Sequence, residues 1–221
     1  MSETTPIIPE VDYREAERLM HELISKVQEY MKRVPPETID KTLWDTYVFA
    51  RDAHHGQMRK SGEAYITHPI LACFLLLHLK PDLVSLQSCI LHDVIEDTPF
   101  DRAEIAKRFG EEVASICEGL SKLSAIKYRG EERTVESLRK MLIAMVEDLR
   151  VIIVKLADRL HNMQTLDHHP DPKKRERIAL ETLNIYAPIA DRLGIFRMKE
   201  MLETECFRVL HPEAYMSITT E

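Results

Sequence analysis

Apolar positions recur along most of the chain at intervals of three and four residues, the spacing that lines one face of a helix. Positions 16, 19, 20, 23, 24, 27 and 31 predict a helix over 11–31, which Pro35-Pro36 ends. Leu43, Trp44, Tyr47, Val48 and Ala50 predict the next over 41–54. A third is expected over 70–79, with Thr67 as its N-cap and Pro69 in its first turn. A fourth is expected over 83–97, where apolar residues at 83, 86, 90, 91, 94 and 95 fit helical spacing and Thr98-Pro99 marks the stop. Asp101-Arg102-Ala103-Glu104 has the order of a capping box and opens a helix that Gly110 closes. Further helices are expected over 111–120, 134–148, 173–190 with a kink at Pro188, and 195–210. The β-branched run at 151–154 imitates a strand, but Ile152, Leu156, Leu160 and Met163 alternate with Asp158, Asn162 and Thr165 as on a helix with one polar stripe. Such a stripe faces either solvent or a site. Residues 1–10 lack any pattern and are expected to be disordered.

Composition supports an all-α reading, because 6 glycines in 221 residues leave few strand-and-turn signals. The net charge of −7 argues against general nucleic-acid affinity, so any anion must be met by local basic residues. The N-terminus has no basic region followed by an apolar core, and the apolar run over 70–79 is too short for a bilayer and carries His78. Neither a signal peptide nor membrane insertion is expected. Cys73, Cys89, Cys117 and Cys206 show no paired spacing and read as reduced core thiols of a cytoplasmic protein.

Three stretches carry chemistry. His92-Asp93-Val94-Ile95-Glu96-Asp97 sets one imidazole and three carboxylates at the end of an apolar helix. Buried, these groups must pair, or hold a cation; the alternative is a frayed, solvated helix end. The loop over 55–69 contains Arg59, Lys60, Ser61 and two glycines, which suits either a solvated turn or a phosphate cradle. The polar segment over 121–133, with Lys122, Lys127 and Arg129, suits a mobile loop or a lid over a charged ligand. Across the chain, His68, His92-Asp93 and Asp158 fall on three separate helices. Two imidazoles and two carboxylates suit Mn²⁺, Fe²⁺ or Zn²⁺ and suit Ca²⁺ poorly. A metal so held leaves room for water and a phosphate oxygen, as phosphoester hydrolysis requires.

The H…HD…D order resembles that of the HD-domain phosphohydrolases. The strings over 54–63, Tyr65-Ile66-Thr67-His68-Pro69, His92-Asp93-Val94-Ile95-Glu96-Asp97-Thr98, 155–163 and 186–195 resemble, more closely still, the N-terminal hydrolase domain of RelA/SpoT-homologue enzymes, which make and destroy guanosine tetra- and pentaphosphate. The resemblance covers roughly 40–210. It implies an all-α HD-domain helical bundle and a Mn²⁺-dependent enzyme that removes the 3′-pyrophosphate to leave GDP or GTP. Position by position it implies His68, His92, Asp93 and Asp158 as metal ligands, and Glu96 and Asp97 as the acidic pair acting on the attacking water. Arg59 matches the residue that packs on guanine, with Lys60 and Ser61 beside the nucleotide, and Asn162 and Thr165 match nucleotide contacts.

The sequence departs from that family at Ala64, where proline is usual, and at Gln164 and Asp191, where Arg and His are common. The acidic motif is intact, which favours an active hydrolase. The expected organisation is an N-terminal tail and helix over 1–40, the hydrolase domain over 41–210 and a stub over 211–221. The chain ends where the family's synthetase domain begins, so it reads as the isolated hydrolase domain of a longer bifunctional enzyme, without synthetase or regulatory domains, or as a stand-alone hydrolase. Two other functions compete: an HD hydrolase of another 3′-phosphorylated nucleotide, and a non-catalytic alarmone-binding regulator.

Overall fold

The computed structural model describes residues 11–124, 139, 141, 143–144 and 146–219. Among the described residues the fold is all-α, and Met58 and Ala64 form an isolated β-bridge rather than a strand. In chain order the helices are α1 (Arg14–Tyr30), α2 (Pro36–Ala53), α3 (Thr67–Leu76), α4 (Leu83–Ile90), α5 (Val94–Asp97), α6 (Arg102–Phe109), α7 (Glu111–Ser124), α8 (Leu149–Gln164), α9 (Pro172–Glu181), α10 (Ala187–Arg192), α11 (Phe196–Leu210) and α12 (Pro212–Thr219). Most predicted helices are present with shifted ends, and their boundaries follow local chemistry. Asp82, Asp101, Asp148 and Asp171 cap α4, α6, α8 and α9 by accepting backbone N–H bonds. Gly110 ends α6 at φ 92°, a conformation that disfavours a side chain. No helix among the described residues is long and apolar enough to cross a membrane.

The central layer is α3, which packs against α1, α4 and α8. Met20, Leu23 and Val27 of α1 share one core with Ile70, Cys73 and Leu76 of α3 and Ile152, Leu156 and Leu160 of α8. All four cysteines are free and buried in apolar surroundings, as their sequence setting implied.

Five expectations change. Thr67 does not cap α3 but is its first residue, its hydroxyl donating to the Ala64 carbonyl at 2.8 Å. The α3 helix gives way to a 3₁₀ turn, Leu77–Leu79. The helix expected over 83–97 is interrupted at 91–93, between α4 and α5. Ser121–Ser124 belong to α7, while the rest of the expected loop, and Thr134 with the start of the next helix, lie outside the described residues, as do residues 1–10. The helix over 173–190 contains a π-turn, Thr182–Tyr186, in which the Ala187 N–H donates to the Thr182 carbonyl. Pro188 has no N–H for the carbonyl four residues back, and the ladder widens just before it. Arg159 fastens this turn to α8, donating to Glu181 at 3.0 Å and to the Tyr186 hydroxyl at 2.7 Å while lying 4.1 Å from the Tyr186 ring centroid.

Candidate metal centre and nucleotide cleft

Three elements deliver ligand-bearing side chains to one buried point. His68 projects from the first turn of α3, His92 and Asp93 from the turn between α4 and α5, and Asp158 from the middle of α8. Donor atoms of His68, His92 and Asp158 all lie within 4.8 Å of one another, and the three residues are buried. The interruption at 91–93 has a local purpose. It frees backbone geometry so that the His92 Nδ1–H donates to the Cys89 carbonyl at 2.8 Å. Its Nε2 is thereby left facing Asp93 Oδ2 at 2.9 Å and Asp158 Oδ1 at 3.5 Å. That buried Nε2 makes no hydrogen bond. A nitrogen lone pair held against two carboxylates is unfavourable unless a proton or a cation lies among them.

Electrostatics points the same way. Desolvation acts to lower the His92 pKa, but the charges of Asp93 and Asp158 overcome it and raise the pKa well above the ordinary histidine range. Desolvation acts to raise that of Asp158, but the Lys155 ammonium and then the adjacent His68 and His92 rings hold it well below the carboxylate range. Both shifts have one cause: the site favours positive charge among buried carboxylates. Two imidazoles and two carboxylates fit a divalent ion of borderline hardness. Asp93 sits at the edge of this group, outside the tight trio, and accepts a bond from the Tyr65 hydroxyl.

Around the trio, Asp158 Oδ1 accepts from Asn162 Nδ2 at 2.6 Å and lies 3.1 Å from His68 Nε2, while Oδ2 accepts from Lys155 Nζ at 2.8 Å. The α8 polar stripe therefore faces a site, not solvent. From Asp158 a cleft of about 450 Å³ opens along α8, lined by Arg59, Lys60, Ser61, Tyr65, Asn162 and Thr165 among others. Arg59 is not a solvated loop residue: its guanidinium donates to Asn162 Oδ1 at 3.3 Å and Thr165 Oγ1 at 3.0 Å. The loop holds it there through its own turn, with Arg59 N–H donating to Glu63 O at 2.9 Å, Gly62 N–H to Arg59 O at 3.0 Å, and Gly62 at φ 98°.

Glu96 and Asp97 stand at the exposed end of α5, outside the cleft lining. Partial burial, then the Asp93 charge, raise the Asp97 pKa above the ordinary aspartate range. Gln57 Nε2 donates to the Asp97 carbonyl at 3.1 Å, tying the Arg59 loop to this helix end. Of the positions that depart from the resembled family, Ala64 is buried beside Met58, Gln164 is exposed, and Asp191 accepts from Lys199 at 3.0 Å. Lys155, Tyr65 and His161, none of them a candidate from the sequence, all touch the candidate ligands. Their only sequence signal is placement: Lys155 and His161 stand three residues either side of Asp158, and Tyr65 three before His68.

Comparison with known proteins supplies the evolutionary setting. A family model described as HD domain matches residues 46–196. The chain is 48% identical over 201 residues to the bifunctional (p)ppGpp synthase/hydrolase SpoT of Escherichia coli K12, an alignment covering 90% of this chain and 28% of that protein. It is 49% identical over 169 residues to a guanosine-3′,5′-bis(diphosphate) 3′-pyrophosphohydrolase of Haemophilus influenzae, covering 76% and 25%. It is 47% identical over 176 residues to a GTP pyrophosphokinase of Myxococcus xanthus, covering 78% and 23%. The chain thus spans about a quarter of the length of these relatives. A solved structure, described as a metazoan ortholog of SpoT that hydrolyses ppGpp, superposes with a TM-score of 0.59 at 20% identity, covering 79% of this chain and 96% of that one, and shares the fold.

Proposed function

Because the chain belongs to the HD-domain family, we propose that it is a metal-dependent guanosine-3′,5′-bis(diphosphate) 3′-pyrophosphohydrolase of the stringent response, acting in the cytoplasm on guanosine tetra- and pentaphosphate. The observation that carries this reading is the His68, His92 and Asp158 trio at the end of a cleft whose wall bears Arg59, Asn162 and Thr165. The donor chemistry and the unpartnered His92 Nε2 fit a divalent ion, which we assign as Mn²⁺ held by His68, His92, Asp93 and Asp158. Such an ion supplies Lewis acidity at a phosphate oxygen and lowers the pKa of water. The chain's own residues do the rest. Arg59 presents a planar cation for the guanine, with Lys60 and Ser61 alongside; Asn162 and Thr165 offer hydrogen bonds to the nucleotide from the same wall. Glu96 and Asp97 act on the attacking water as general acid or base, and partial burial and the Asp93 charge raise the Asp97 pKa. Water adds to the 3′ phosphorus, the bond from that phosphorus to O3′ breaks, and O3′ leaves with a proton as GDP or GTP while pyrophosphate is released.

The reading is tested by substrate competition. Guanosine tetraphosphate and a 3′-phosphorylated dinucleotide are offered together with Mn²⁺. Preferential loss of the tetraphosphate, with pyrophosphate released, supports it. Preferential release of orthophosphate from the dinucleotide assigns the site to another nucleotide, and no turnover of either makes the domain a binder.

A further inference from the structure

We infer that His161 is a positioning residue for the metal centre: it fixes the tautomer and tilt of His68 through an imidazole-to-imidazole hydrogen bond. His68 Nδ1 and His161 Nδ1 lie 2.7 Å apart, with ring centroids 4.8 Å apart, and both residues are buried. One of two imidazole nitrogens at that distance must donate and the other accept. His68 turns Nε2 toward Asp158 Oδ1 at 3.1 Å, on the side of the trio. A ligating Nε2 must keep its lone pair, so His68 carries its hydrogen on Nδ1 and donates it to His161. His161 then accepts at Nδ1 and carries its own hydrogen on Nε2. Ligating histidines commonly donate to a carboxylate or a carbonyl, as His92 does to Cys89. The choice of imidazole at position 161 has a charge consequence. Asp93 and Asp158 already bring two negative charges to a divalent ion, and Lys155 bonds to Asp158. A carboxylate at 161 would add a third negative charge beside an anionic phosphate, whereas a neutral imidazole accepts the bond without adding one. The placement on α8, three residues beyond Asp158, lets one helix supply both a ligand and the orienter of another ligand.

This inference rests on the metal reading above, and its test separates the two. Mn²⁺ alone is titrated into stripped wild type, His161→Asn and His161→Leu. The Asn side-chain oxygen occupies much the position of Nδ1 and accepts the same bond; Leu fills the space without an acceptor. The expected result is affinity within about 3-fold of wild type for His161→Asn and a loss of roughly 10- to 100-fold for His161→Leu, the scale for removing such a partner. Equal affinity in wild type and His161→Leu overturns this inference alone, as does an equal loss in both variants. No Mn²⁺ binding by wild type overturns the metal reading and this inference with it. A second measurement needs no variant: side-chain ¹H–¹⁵N spectra of the Zn²⁺-loaded wild type should show hydrogen on His68 Nδ1 and on His161 Nε2. A His161 ring protonated on Nδ1 overturns the assignment.

Discussion

Asp158→Asn probes the centre at its most connected atom. Asp158 touches His68 and Asn162 through Oδ1 and Lys155 through Oδ2, and Lys155 is itself buried at 9% exposure. Asparagine keeps the volume but loses the charge, and its NH₂ group must face either the Lys155 ammonium or the Asn162 amide and His68. Removing the carboxylate that Lys155 donates to, while Asp93 remains nearby, weakens a buried ion pair whose full loss costs about 3–5 kcal/mol. In a chain of 221 residues, melting temperature moves by about 2–4 °C per kcal/mol, so the stripped variant should melt below stripped wild type by up to roughly 20 °C. Metal adds a second difference. An ion at 100 times its dissociation constant stabilises the folded state by about 2.7 kcal/mol, which raises wild type by roughly 5–10 °C. Thermal melts of both proteins, stripped and then with Mn²⁺ added, read both effects. Wild type should rise with Mn²⁺, while Asp158→Asn should start low and stay there. A variant that responds to Mn²⁺ as wild type does refutes the assignment of Asp158 as a ligand; one that melts with stripped wild type refutes the argument from the Lys155 pair.

Three further perturbations act elsewhere. Arg59→Ala should raise the Michaelis constant with turnover less affected, since Arg59 reaches Asn162 and Thr165 rather than the trio; steady-state kinetics check this, and an unchanged Michaelis constant contradicts a base contact. Glu96→Gln and Asp97→Asn should each retain Mn²⁺ and nucleotide while single-turnover rates fall roughly 10²-fold or more; loss of metal in parallel with activity would make one of them a ligand. Asp101→Ala removes the acceptor of the Glu104 N–H bond at 3.0 Å and should cost about 1 kcal/mol in a denaturant titration with activity unchanged.

The helix pattern was legible because most helices here bury one face, and apolar spacing at 16–27 or 152–163 records that face directly. The interruption at 91–93 was not, because apolar residues continue through it: Leu91 and Val94 are both fully buried. At the break the Cys89 carbonyl accepts from the His92 ring, a choice between backbone and side-chain partners that hydropathy does not register. The π-turn follows from Pro188, but its form depends on Arg159 and Tyr186 meeting across the fold. In the site, His68, His92 and Asp158 stood out as polar residues in apolar segments, and the structure brings them to one point. His161 and Lys155 escaped notice for opposite reasons. His161 lies beside the buried Leu160, where a histidine reads as core filling, and Lys155 is a residue type that composition places at the surface. Only the folded neighbourhood of Asp158 reveals either.

We propose that this chain cleaves the 3′-pyrophosphate of guanosine tetraphosphate at a metal held by His68, His92, Asp93 and Asp158. Real-time ³¹P NMR of the reaction in ¹⁸O-labelled water, with stripped protein before and after Mn²⁺ addition, tests it in one experiment. No change is expected before the metal; after it, GDP and pyrophosphate should form in equal amounts, with the label in pyrophosphate alone. Turnover by the stripped protein, release of orthophosphate, or label on the nucleotide would contradict it.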